Sequence, residues 1–106
     1  MIQQYGATIS YKRYEIKRKI VQRLERYFLS INLLHESIES VKQDPESFVM
    51  KTVDHIHSYT RSKKRLVDSL RKFFTYLNER YSLHINVDLY LPIGRYMTTY
   101  ERHIEL

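Results

Sequence analysis

The densest chemistry-bearing motif in the chain is His55-Ile56-His57, with Tyr59 two residues further on. On a strand both imidazoles and the phenol would share one face, within reach of a common ligand. On a helix, residues two apart point about 200° away from each other and cannot hold one metal ion. The helix start Asp44-Pro45-Glu46 and the spacing of Val49, Val53 and Ile56 favour the helix, so no metal is expected here. His35, His84 and His103 show no ligand spacing, Asp54 and Asp68 have no evident partner, and there is no glycine-rich phosphate loop. Zero cysteines remove disulfides, thiol nucleophiles and cysteine-based zinc sites. The chain is therefore not expected to be an enzyme or to carry a cofactor.

What the sequence does offer is positive charge. Its 18 Lys and Arg against 12 Asp and Glu give +6 and a pI near 9.6, and the distribution is uneven. Residues 1–26 carry +5, residues 27–57 carry −3, residues 58–81 carry +5 and residues 82–106 carry −1. The first basic block is Lys12, Arg13, Lys17, Arg18, Lys19, Arg23 and Arg26; the second is Arg61, Lys63, Lys64, Arg65, Arg71, Lys72 and Arg80. A helix over 11–43 would hold its basic block at the start and Glu36 and Glu39 towards the end. The helix macrodipole disfavours that order by a few tenths of a kcal/mol per charge. A placement kept against that cost points outward, and a polyanion is the simplest partner. The ten tyrosines include Tyr11, Tyr14, Tyr96 and Tyr100 among basic residues, where stacking on bases is conceivable, but ordinary packing is the expected role.

The elements that must position these charges follow from periodicity. At 106 residues, 42% apolar and with only two glycines and two prolines, the chain reads as one helix-rich domain. Residues 1–9 read as a short strand or arm. Ile20, Leu24, Tyr27, Ile31, Leu34, Ile38 and Val41 recur at alternating spacings of four and three, which predicts a long helix over 10–43, weakest at Ser30-Ile31-Asn32. A second helical region spans 45–81, interrupted at Ser58-Tyr59-Thr60-Arg61-Ser62, with Thr60 the expected N-cap of its second half. From Leu83 the period becomes two, and with the turn Pro92-Ile93-Gly94 this predicts a β-hairpin over 83–105. The fold class expected is thus α+β and mostly helical. There is no apolar run long enough to cross a membrane and no signal-like N-terminus, so a cytoplasmic protein without membrane contact is expected.

The order of capped helix, break, basic helix and hairpin resembles winged helix-turn-helix DNA-binding domains over residues 45–104. The segment carrying the likeness is Thr60-Arg61-Ser62-Lys63-Lys64-Arg65-Leu66-Val67-Asp68-Ser69-Leu70. The resemblance implies a recognition helix in the major groove and a wing along the backbone. Thr60, Arg61, Ser62, Lys63, Lys64 and Arg65 would then meet duplex DNA, with Arg71, with Arg95 past the wing tip, and with Lys12, Arg13, Lys17 and Arg18 extending the basic surface. The function expected is a small DNA-binding regulator or accessory factor, dimeric, with the seam from Ile20 to Val41 buried against the rest of the domain and against a second subunit. The alternative is an interaction module or inhibitor without nucleic acid, in which 10–43 and 45–81 are two unbroken helices of about 50 Å each. In the strand case, His55, His57 and Tyr59 would instead resemble the His-hydrophobic-His metal motif of tyrosine-dependent single-strand nucleases. A break near 58–62 favours the DNA-binding reading over the helical hairpin.

Overall fold

Heptad-spaced apolar residues do not make one long helix here. The computed structural model describes residues 1–7 and 14–92, and in it the helix expected over 10–43 runs as α2 (Tyr14–Ser30) and then stops. Asn32 adopts the left-handed conformation at φ 62°, which an asparagine tolerates better than most residues. Leu33 N–H then donates to Phe28 O at 2.8 Å and Asn32 N–H to Leu29 O at 3.2 Å, so the last carbonyls are satisfied as in a Schellman cap. The seam continues only because the next turns return to the same core. Val41 on α3 (Ile38–Gln43) is buried, and Ile31, Leu34 and Ile38 are half-buried. The seam's expected burial against the rest of the domain is thus seen at Ile20, Leu24, Tyr27 and Val41.

Asp44 serves two helices at once. It ends α3, and its Oδ1 accepts from Ser47 N–H at 3.1 Å to start α4 (Pro45–Val53), with Pro45 in the first turn. A nine-residue link follows, containing one 3-10 turn at Ile56–Ser58. Then α5 (Lys63–Tyr81) begins, capped by Ser62 rather than by Thr60 as expected; Ser62 Oγ accepts from Arg65 N–H at 3.3 Å. The region 45–81 is thus two helices, and the pair of unbroken 50 Å helices is absent. The link is also longer than the three or four residues of a helix-turn-helix.

The core combines aliphatic side chains with a cluster of aromatic rings, and α5 runs through it. Leu66, Leu70, Phe73, Phe74 and Leu77 on α5 are fully buried, with Leu24, Tyr27 and Phe28 of α2 and Phe48 and Val49 of α4 among the residues packed with them. Phe28 meets Phe73 edge-on at 5.9 Å, and Phe48 meets Phe74 at 6.2 Å. Residues 2–7, expected as a strand or arm, form the helix α1 (Ile2–Ala7). Ile2 and Tyr5, three apart, face inward together, and Tyr5 packs on Phe73 and Tyr76 at 5.6 and 5.0 Å. Burial, and Asp68 beside it, push the Tyr5 phenol above its ordinary range. At Gly6 α1 lies against α2, where a Cβ would make ordinary van der Waals contact with Val21 Cγ2 at 3.4 Å.

The hairpin expected over 83–105 is not seen in residues 83–92. No strand occurs among the described residues, and 93–105 lie outside them. Residues 82–86 form no regular element, with Ser82 in the left-handed conformation at φ 55°, and the pairing partner of Ile85 is a side chain. Asn78 on α5 donates from Nδ2 to Ile85 O and accepts at Oδ1 from Ile85 N–H, both at 2.9 Å. One amide thereby satisfies the residue that a neighbouring strand would otherwise have paired. Asn86 next caps the short α6 (Val87–Tyr90), accepting from Leu89 N–H at 3.1 Å. Alternating burial at Leu83, Ile85 and Val87 therefore belongs to an irregular link and the start of α6, and the mostly helical α+β expectation gives way to helices without strands among the described residues.

Replacing Asn78 by Ala removes both bonds to Ile85 from a half-buried site. Urea unfolding should show a loss of about 1–3 kcal/mol, and Asn78→Asp should not restore it, since a carboxylate cannot donate to Ile85 O.

Candidate nucleic-acid interface

The helical period sets one wall of the site. Lys19, Arg23 and Arg26 on α2 are spaced four and three apart, so they rise along a single face with Gln22 between them. The α2–α5 packing sets the other wall, bringing Arg61, Ser62 and Arg65 opposite that row, with Tyr59 at one end. These residues enclose an open cleft of about 240 Å³ lined by five cations and no carboxylate. Among the described residues none of the five takes part in an ion pair, whereas Arg71 pairs with Asp88 and Lys72 with Asp68.

Arg23 is held in place by a hydroxyl. Its Nη1 donates to Ser69 Oγ at 2.9 Å, and Ser69 Oγ in turn donates to Arg65 O at 2.9 Å. Ser69 is 1% exposed, so this bond links α2 to α5 beneath the cleft floor. The first turn of α5 adds a further positive contribution. It contains no acidic residue, and its first N–H groups point out of the helix end. Half of the macrodipole conflict expected for a long first helix is removed, since Glu36 and Glu39 lie beyond the end of α2, while Lys17 and Arg18 still lie near its start. Glu39 is instead in the first turn of α3, where it is favourable. The conflict also falls on α5, which opens with Lys63, Lys64 and Arg65.

Of the residues expected to contact DNA, Arg61, Ser62 and Arg65 line the cleft and Thr60 lines the hollow beside it. Lys63 and Lys64 sit on the same turn of α5 outside the cleft lining, and Arg18 is exposed on α2. Arg71 serves the fold instead. Its guanidinium donates to Leu91 O and, at 2.6 Å, to Asp88 Oδ1, clamping α6 onto α5. Lys17 lies within α2, and Lys12, Arg13, Arg95, Tyr11, Tyr96 and Tyr100 lie outside the described residues. Sequence reasoning missed the row Lys19, Arg23 and Arg26 as a site, although its spacing on a predicted helix carried the signal.

His55 and His57 flank Ile56 in neither a strand nor an α-helix, but at the 3-10 turn. With about three residues per turn there, positions two apart again diverge. No cluster of three metal-ligating side chains occurs among the described residues. No described helix is long and apolar enough to cross a membrane.

Ser69→Ala removes the acceptor that positions Arg23. The variant should fold, with stability lower by about 1 kcal/mol in a denaturant titration. No family model, curated protein or solved structure matches this chain.

Proposed function

We propose that this protein binds nucleic acid through the phosphodiester backbone, seated in the cleft between α2 and the start of α5. The observation that carries this reading is the set of five cations facing one cleft without an internal counter-charge. Lys19, Arg23 and Arg26 extend over about 10 Å of helix, a row suited to a chain of repeating negative charges more than to one carboxylate. Arg is also the side chain best matched to phosphate oxygens, through its planar fork of donors.

The mode differs from that of a recognition helix. Beyond its first turn, α5 buries Leu66, Val67, Ser69, Leu70, Phe73, Phe74 and Leu77. Its exposed positions Asp68, Lys72, Thr75, Glu79 and Arg80 balance two carboxylates against two cations, and Lys72 is already paired with Asp68 at 3.1 Å. That face offers a phosphate-lined groove no net attraction. Contacts confined to the backbone fix position and carry little sequence information, which favours an accessory factor assembling on nucleic acid over a sequence-reading regulator.

Fluorescence anisotropy with duplex DNA, single-stranded DNA and a sulfated polysaccharide, each across a salt series, tests this. The triple variant Arg26→Ala/Arg61→Ala/Arg65→Ala should bind more weakly and lose salt dependence, by a slope of roughly 0.9 per removed contact on duplex or 0.7 on single strand. Lys42→Ala, which lines a different hollow between α3 and residues 82–90, should leave both unchanged. A folded triple variant with undiminished affinity and slope overturns the reading. Equal affinity for the polysaccharide transfers the cleft to an acidic partner in general.

A further inference from the structure

The basic cleft continues past Arg61. Arg26, Tyr59 and Arg61 are shared with a second hollow of about 310 Å³, completed by Tyr27, Ser30, Ile31, His55, Ser58 and Thr60. Its chemistry is different. Apart from the two shared arginines, its walls are apolar (Tyr27, Ile31, Tyr59) or neutral and polar, and its volume is near the lower end of the roughly 300–1,000 Å³ typical of small-molecule sites. A phosphate would leave most of it unfilled, whereas a flat heterocycle matches it.

Beside its two arginines, which only donate, the hollow also offers acceptors. His55 Nδ1 lies 2.9 Å from Lys51 O. A carbonyl can only accept, so Nδ1 carries the hydrogen, and in that tautomer Nε2 is the ring's acceptor. Ser30 Oγ already donates to Tyr27 O at 2.6 Å and Ser58 Oγ to His55 O at 2.9 Å, which leaves each with lone pairs to offer. Amino and imino groups on the edge of a nucleobase are the complementary donors. Tyr59 stands where the two hollows join, meeting Tyr27 at 89° rather than stacking on it.

We propose that this hollow seats one unpaired nucleobase against Tyr59 while the phosphates flanking it occupy the basic cleft. The inference rests on the backbone reading of that cleft and adds the kind of strand. A base within a duplex reaches such a seat only by leaving its stack and its partner, at a cost that a single strand avoids. The preferred ligand is accordingly single-stranded nucleic acid.

The test compares a fluorescein-labelled mixed-sequence DNA octamer, the same octamer made abasic throughout, and the octamer annealed to its complement, all at one salt concentration. The abasic strand keeps the backbone phosphates and loses the bases. The base-bearing strand should bind about ten-fold or more tightly than the abasic one, and more tightly than the duplex. Tyr59→Leu, which keeps an apolar wall against Tyr27, should narrow that gap while its circular dichroism and melting remain near wild type. Equal binding of base-bearing and abasic strands by the wild-type protein overturns the base seat and leaves the cleft reading standing. Failure of all three ligands to bind overturns the cleft reading, and this inference with it.

Discussion

The contact between α2 and α5 decides both the core and the charge of this protein. Phe28 meets Phe73 at 5.9 Å in the interior, and Arg23 meets Ser69 at 2.9 Å beneath the surface. The same docking that closes the core brings cations from two helices to face one another. Magnitudes show which effect prevails. Each fully buried Leu or Phe in that interface contributes about 1.5–3 kcal/mol, whereas an exposed like-charge contact costs a few tenths. The core therefore forms regardless, and the repulsion persists as an unrelieved positive potential in the cleft.

The burial of α5 also limits what the helix can do. A helix with core contacts at 66, 67, 69, 70, 73, 74 and 77 has only its first turn and one stripe left for solvent. The stripe is charge-mixed, so the first turn is where a polyanion can approach. Farther along, Arg71 and Asn78 hold residues 85–91 to α5 through Ile85, Asp88 and Leu91. A segment tied down by side chains in this way is a brace for the central helix, and a wing reaching over DNA would need those residues free.

Local chemistry was legible in the sequence where a residue acts on its own neighbours. Asp44-Pro45 begins α4 as its capping chemistry requires, and the weak point at Ser30-Ile31-Asn32 is where α2 ends. The heptad rhythm misled because burial spacing is blind to a reversal of the chain: residues on two helices and a loop returned to one core in register. The period-two stretch misled for a related reason, since alternating burial cannot say whether the chain is a strand or an irregular link held by the amide of Asn78. As for the site, its two basic blocks were legible as charge, and Arg61, Ser62 and Arg65 as candidates. The juxtaposition with Lys19, Arg23 and Arg26 depends on a tertiary contact that no local pattern encodes.

The two signs of charge are used differently by the fold. Acidic residues in the central segment are committed locally: Glu39 to the first turn of α3, Asp44 and Glu46 to the start of α4, and Glu36 to Ser40 Oγ at 2.6 Å. Those placements stabilise helix starts by dipole and capping interactions. On the basic side, Arg71 and Lys72 are committed in the same sense, to Asp88 and Asp68. Lys19, Arg26, Arg61 and Arg65 form no ion pair among the described residues and sit around a cleft that their own repulsion disfavours. Local interactions of the fold thus account for Glu36, Glu39, Asp44 and Glu46 and for Arg71 and Lys72. Under the proposed function, the four cations around the cleft are the ones a polyanion would neutralise, with release of the counterions they otherwise gather.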